Sequence, residues 1–124
     1  MTFVRYTGGR THADPPQVSI HPSGKISFNV SACIRFQIRE FSYAALYFDT
    51  EAARIGIDFL KTSEKGAVAI TKLKGGRTAY ISAKSFLVCY DVPLRLTHYR
   101  LRKRHKDRFC TFRVRRAGLF KSVL

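Results

Sequence analysis

Arg100, Arg102 and Arg104 recur at every second position, with Lys103, Lys106 and Arg108 set around them. In an extended strand that spacing puts the three arginines on one face, with Tyr99, Leu101 and Lys103 on the other. A guanidinium carries a planar fork of donors that grips phosphate oxygens two at a time, so a row of them suits a phosphate backbone. Like charges on one strand face destabilise it until a counter-charge arrives. The wider charge distribution points the same way. Residues 93–124 hold eleven Lys and Arg against one acidic residue, whereas residues 1–60 hold six against five, within a chain of net charge +15. A field this one-sided strains a compact fold and attracts a polyanion. Arg95, Arg100, Arg102, Lys103, Arg104, Lys106 and Arg108 are therefore the expected nucleic-acid contacts of the last quarter of the chain. Such contacts go mostly to phosphates, and nothing in these residues specifies base readout. Binding of this kind falls steeply with salt.

Aromatic residues interleave with the basic ones at Tyr80, Tyr99, Phe109 and Phe112. Exposed rings would stack on unpaired bases, but aromatic residues in strands more often fill a core. Arg108 and Arg113 fall on opposite strand faces, and Phe109 shares the face of Arg113. These residues are compatible with duplex or single strand, DNA or RNA.

Other chemistry finds little support. An enzyme needs convergent acid, base or nucleophile groups. The eight carboxylates include Asp49, Glu51 and Asp107 at expected turns, and Asp58 on the outward phase of a strand. His12, His21, His98 and His105 show no H-E-x-x-H or other metal-ligand spacing. Gly75-Gly76 lacks the G-K-[ST] of a phosphate-binding loop. Cys33, Cys89 and Cys110 are odd in number, widely spaced and set among apolar neighbours, so they are expected as reduced, small core residues. The expectation is a non-enzymatic protein with no metal and no cofactor.

The elements that must position the basic residues follow from local pattern. Residues 1–16, with Gly8-Gly9 and Pro15-Pro16, read as a flexible arm. Gln17 to Ile20 and Lys25 to Phe28 alternate as strands around the turn His21-Pro22-Ser23-Gly24. A short helix is expected from Ser31 to Phe36, capped by Asn29 or Ser31. Strands follow at Tyr43 to Phe48 and Arg54 to Phe59. The order then repeats. Strands are expected at Ala67 to Thr71 and Thr78 to Ile81 around Gly75-Gly76. A helix capped by Ser82 spans Ala83 to Tyr90. Strands at His98 to Arg102 and Arg108 to Val114 flank a turn containing Lys106-Asp107.

The chain thus reads β-β-α-β-β twice, with an offset of about 53 to 55 residues. One half of about 45 residues is too small to bury a core alone, whereas two halves packed together are not. Apolar residues make up 45% of the sequence, enough to exclude a wholly disordered basic chain. The expected fold class is α+β, mainly β: a small barrel of two halves, residues 17–60 and 67–114, with pseudo-twofold symmetry. Residues 115–124 form a basic tail.

Val18-Ser19-Ile20, Gly24-Lys25-Ile26-Ser27-Phe28, the short helix, Leu46-Tyr47-Phe48-Asp49 and Arg54-Ile55-Gly56-Ile57 together resemble the swapped-hairpin domain of AbrB/MazE-type bacterial regulators and antitoxins. The resemblance covers residues 17–60 well and 67–114 loosely. It implies interleaved copies forming one barrel. It also implies DNA binding through basic residues on the hairpin and helix side, which correspond to Lys25, Arg35, Arg39, Arg77 and Lys84. The chain also resembles uncharacterised bacterial or phage proteins with a similar hairpin followed by Ile81-Ser82-Ala83-Lys84-Ser85-Phe86; that likeness implies no activity.

The expected function is nucleic-acid binding, DNA ahead of RNA, in a regulator or mobile-element protein. The alternatives are a phage or viral structural or assembly protein, and a component of a ribonucleoprotein. A homo-oligomer or a protein partner is compatible with each. No apolar run of about 18 residues predicts a membrane span, and the first residues have no apolar stretch of the secretory kind. The expected location is the cytoplasm, or the host cytoplasm or virion for a phage-encoded chain.

Overall fold

The computed structural model describes residues 15–73, 75, 77–104 and 106–114; for residues 103, 104 and 106–108 it describes the backbone alone. Nine strands and two short α-helices occur among these residues. Their order is β1 (Gln17–Ile20), β2 (Lys25–Phe28), α1 (Val30–Arg35), β3 (Tyr43–Asp49), β4 (Arg54–Leu60), β5 (Val68–Lys72), β6 (Ala79–Ser82), α2 (Lys84–Cys89), β7 (Thr97–Arg100), β8 (Arg102–Arg104) and β9 (Lys106–Arg113). A 3₁₀ turn, Ile38–Glu40, follows α1 and was not evident in the sequence.

The strands form one antiparallel sheet in the order β7-β1-β2-β6-β5-β3-β4-β9-β8. Its two ends, β7 and β8, are successive parts of one chain segment joined at Leu101. The expected single strand His98 to Arg102 therefore divides there. Its first part pairs with β1 and its second with β9. Leu101 is buried, and its N–H donates to the Pro16 carbonyl at 3.0 Å. Counting β7 and β8 as one bent strand, eight strands close nearly into a barrel. Closure removes the exposed edges along which open sheets aggregate.

The two halves are interleaved. β2, α1 and β3 begin at residues 25, 30 and 43, and β6, α2 and β7 at 79, 84 and 97, an offset of 54 in each case. Within each half the two hairpins do not pair with each other. Every hairpin instead joins the other half on both sides, through β1·β7, β2·β6, β3·β5 and β4·β9. Exchanging the halves leaves this list of pairings unchanged, which is the expected pseudo-twofold symmetry. Neither half could complete a sheet alone.

Alternation decides what lies inside. Val18, Ile20, Ile26, Phe28, Ile55, Ile57, Phe59, Ile81, Cys110 and Phe112 point inward and are buried. The phenyl rings of Phe28 and Phe59 meet edge-on at 5.8 Å, and Tyr99 packs on Phe112 at 5.4 Å. An eight-stranded barrel is narrow enough for side chains to fill it.

The helix starts differ from each other. Asn29 caps α1, its Oδ1 accepting from the Ala32 N–H at 2.8 Å and the Gln17 N–H at 3.0 Å. Its Nδ2 donates to the Pro15 carbonyl at 3.1 Å, so Pro15 and Pro16 belong to the barrel and not to the expected arm. Residues 1–14 of that arm and the expected tail, 115–124, lie outside the described residues. The expected cap Ser82 is corrected. Ser82 ends β6, the N-cap is Ala83 without a side-chain bond, and the Ala83 N–H donates instead to the Gly24 carbonyl at 2.9 Å. The β1–β2 turn thereby holds the residue from which α2 starts. A second correction concerns Lys106-Asp107, expected in a turn. Both lie in β9, because β8 pairs Arg104 with Lys106 after a register shift.

Candidate nucleic-acid interface

The outward face of β3, β4, β9 and β8 carries two adjacent rows across the strands. One row is Tyr47, Gly56, Thr111 and Arg102. The next is Asp49, Arg54 and Arg113. Residues two apart along a strand are about 7 Å apart, so the rows are near neighbours. Arg102 and Arg113 are exposed and Arg54 is half-buried. Arg100, two residues before Arg102, points outward as well, while Tyr99 and Leu101 turn inward.

Two rings lie on this face. The Tyr47 side chain is 52% exposed, and its ring meets Phe109 edge-on with centroids 5.9 Å apart. Phe109 rests on Gly56, where an added Cβ would come within 2.8 Å of Phe109 Cζ. Glycine at that position leaves room for the tip of the ring. A shallow open depression is lined by Tyr47, Phe48, Asp49, Arg54, Gly56, Phe109 and Thr111. Its acidic member, Asp49, uses Oδ1 to accept from the N–H groups of Glu51 at 3.0 Å and Ala52 at 3.1 Å. Asp58 stands beside Phe109 across the β4–β9 pair.

The other basic residues expected at the interface are spread around the barrel. Lys25 and Lys84 come together: Lys25 pairs with Ser82, and the Lys84 backbone packs against Gly24. The Lys25 ammonium sits 4.4 Å from the centroid of the Tyr80 ring. This pair lies at the Ile20 end of β1, whereas Arg100 pairs with Gln17 at its other end. Arg35 ends α1, Arg39 lies in the 3₁₀ turn, Arg77 in the β5–β6 turn and Arg95 before β7, all exposed. The side chains of Lys103, Arg104, Lys106 and Arg108 lie outside the described residues, although their backbone runs along β8 and β9.

A second depression lies over β2 and β6, lined by residues that include His21, Ser23, Lys25, Ser27, Leu73 and Tyr80. His21 Nε2 and Ser27 Oγ are 2.8 Å apart, and Ser19 Oγ lies 2.6 Å from His98 Nδ1. These histidines bond to serines, and no cluster of three or more metal-ligating side chains occurs among the described residues.

No family model, no curated protein and no solved structure matches the chain. The geometry therefore carries the functional argument.

The cysteines divide by burial. Cys33 and Cys110 are buried and Cys89 is exposed, which corrects the expectation of three core cysteines. Burial pushes the Cys33 thiol up to about 11, against a smaller lowering by Arg39 and by a backbone hydrogen bond from Ala79. Burial also raises the Cys110 thiol, with Asp58 adding to the effect. A thiol held protonated is a poor nucleophile. No helix among the described residues is long and apolar enough to cross a membrane.

Sequence reasoning missed Arg54, Arg113 and Tyr47 as site residues. The outward phase of Arg54 and Tyr47 was legible in the alternation of Arg54-Ile55-Gly56-Ile57 and of residues 43–48. Their neighbours on β9 were not, because strand partners are not encoded locally.

Proposed function

We propose that this chain is a non-enzymatic nucleic-acid-binding protein that holds phosphates on the outward face of β4, β9 and β8. The observation that carries the reading is the direct cross-strand apposition of Arg54 and Arg113, with Arg102 in the adjoining row. Like charges placed opposite each other cost stability in the free protein. A phosphate backbone removes that cost and gains forked hydrogen bonds. The excess of Lys and Arg in residues 93–124 adds a long-range attraction for the same ligand. The resemblance of residues 17–60 to AbrB/MazE-type regulators favours DNA over RNA, and a regulatory or mobile-element role over an assembly role.

The test is a fluorescence-anisotropy titration with labelled duplex DNA, single-stranded DNA and RNA at several salt concentrations. The expected result is binding whose logarithm falls linearly with the logarithm of salt. The double variant R54Q/R113Q should flatten that slope by about 1–2, roughly one per lost phosphate contact. Absence of binding to all three ligands at low salt overturns the reading.

A further inference from the structure

We infer that the Tyr47–Phe109 pair is a stacking platform for unpaired bases, so that the β3–β4–β9 face selects single-stranded nucleic acid over duplex. The inference rests on the nucleic-acid reading above and deepens it.

Three features of the face meet there. The first is exposure. Tyr47 is an aromatic residue on an outward strand position with half of its surface in water. A ring placed only for packing would turn into the barrel, as Tyr99 does against Phe112. The second is support. Phe109 holds the Tyr47 ring edge-on, and Gly56 leaves room for the tip of the Phe109 ring. A ring backed by another ring loses less freedom when a base settles on it, so more of the stacking energy appears as affinity. The third is the flanking charge. Arg54 and Arg113 lie in the neighbouring row, and Arg102 completes the row of Tyr47 itself. Aromatic faces beside a basic track form the arrangement that holds single strands without base readout, because every base has a π-face.

Duplex does not use such a platform. Its bases are stacked on one another, and reaching them requires unstacking. The arginines would still meet duplex phosphates, but the tyrosine would add nothing. Binding to the two forms therefore depends on different side chains, and that difference makes the inference testable.

The experiment compares wild type, Tyr47→Ala, Tyr47→Phe and R54Q/R113Q by anisotropy against an oligothymidylate of about 16 nucleotides and a duplex of equal length. Tyr47 is half exposed, and near-native circular dichroism establishes that each variant folds. Wild type should prefer the single strand. Y47A should lose about tenfold or more of single-strand affinity, as removal of one stacked base predicts. Its duplex affinity should stay unchanged. Y47F, which keeps the ring, should bind the single strand like wild type. R54Q/R113Q should weaken both ligands. The platform is overturned if Y47A binds the single strand as well as wild type does, or if it weakens both ligands equally. Preference of wild type for duplex overturns it too, while leaving the arginine reading intact. Failure of wild type to bind either ligand overturns both readings together.

Discussion

Arg54 on β4 and Arg113 on β9 stand directly opposite each other on the outer face of the barrel. On its other side Arg54 faces Asp49 on β3, whose Oδ1 is engaged by the N–H groups of the β3–β4 turn. Without a ligand the two guanidinium groups repel. Arg113→Gln should therefore raise the stability of the free protein by about 0.2–1 kcal/mol at low ionic strength. The gain should shrink as salt screens the pair. Urea unfolding midpoints at low and high salt check this, and a loss of stability at both would show that the pair is not repulsive. The same variant should bind nucleic acid more weakly, so stability and function move in opposite directions.

Gly24 adopts φ +91, and a Cβ there would collide with Lys84 Cβ and approach Lys84 Cα to 2.7 Å. Left-handed backbone strains an L side chain by about 1–3 kcal/mol, and here the obstacle includes backbone that cannot swing away. Gly24→Ala should destabilise by about 2–3 kcal/mol. Gly66 has φ +84 with nothing within 4 Å, so Gly66→Ala isolates the conformational part and should cost about 1 kcal/mol. Equal losses in thermal or urea unfolding would mean that the approach of α2 to the β1–β2 turn contributes nothing.

Asn29 holds three segments, since its side chain bonds the backbone of Ala32, Gln17 and Pro15. Asn29→Ala should lose the helix cap and the bonds to Gln17 and Pro15, a cost of about 1–3 kcal/mol. Asn29→Asp keeps the accepting oxygen and gives up only the donor to Pro15. It should recover most of the stability in the same unfolding assay. If both variants lose equally, the bond to Pro15 and not the cap is the important one.

The thiols should react in order of burial. Cys89 is exposed and should label in the native protein with a soluble disulfide reagent, whereas Cys33 and Cys110 should label only on unfolding. The pH dependence follows from Cys33, raised from 9.0 to about 11 by burial. Its contribution is full below pH 9.0, because both states then keep the proton. Between pH 9.0 and about 11 the unfolded chain loses its proton first, so stability falls as pH rises. Cys33→Ala should make that fall shallower in urea titrations across this window; an unchanged slope would contradict the assignment.

Much of this architecture was legible in the chain before any contact was known. Alternation at Gln17 to Ile20, Lys25 to Phe28 and Arg54 to Phe59 marked strands and their buried faces, because a half-buried strand repeats every two residues. The two β-β-α-β-β halves, the cap at Asn29 and the outward phase of Arg100 and Arg102 rest on the same local rules. The cap expected at Ser82 was wrong for a reason outside the local sequence: pairing with Lys25 of β2 draws Ser82 into β6, and the helix starts one residue later, from Ala83.

Local residue pattern therefore dictates the order of elements, their internal repeat and the side of each strand that meets water. Which strand lies beside which was settled by the closing of the barrel. Alternation assigns a face but names no neighbour, and hairpins that can pair on either edge find their partners only when the barrel closes. Closure set Arg113 opposite Arg54, laid Phe109 over Gly56 beside Tyr47 and bent the chain at Leu101 to seal the last gap. Each of these joins residues distant in sequence, and burying both sets of apolar faces in one core is the condition that selects them.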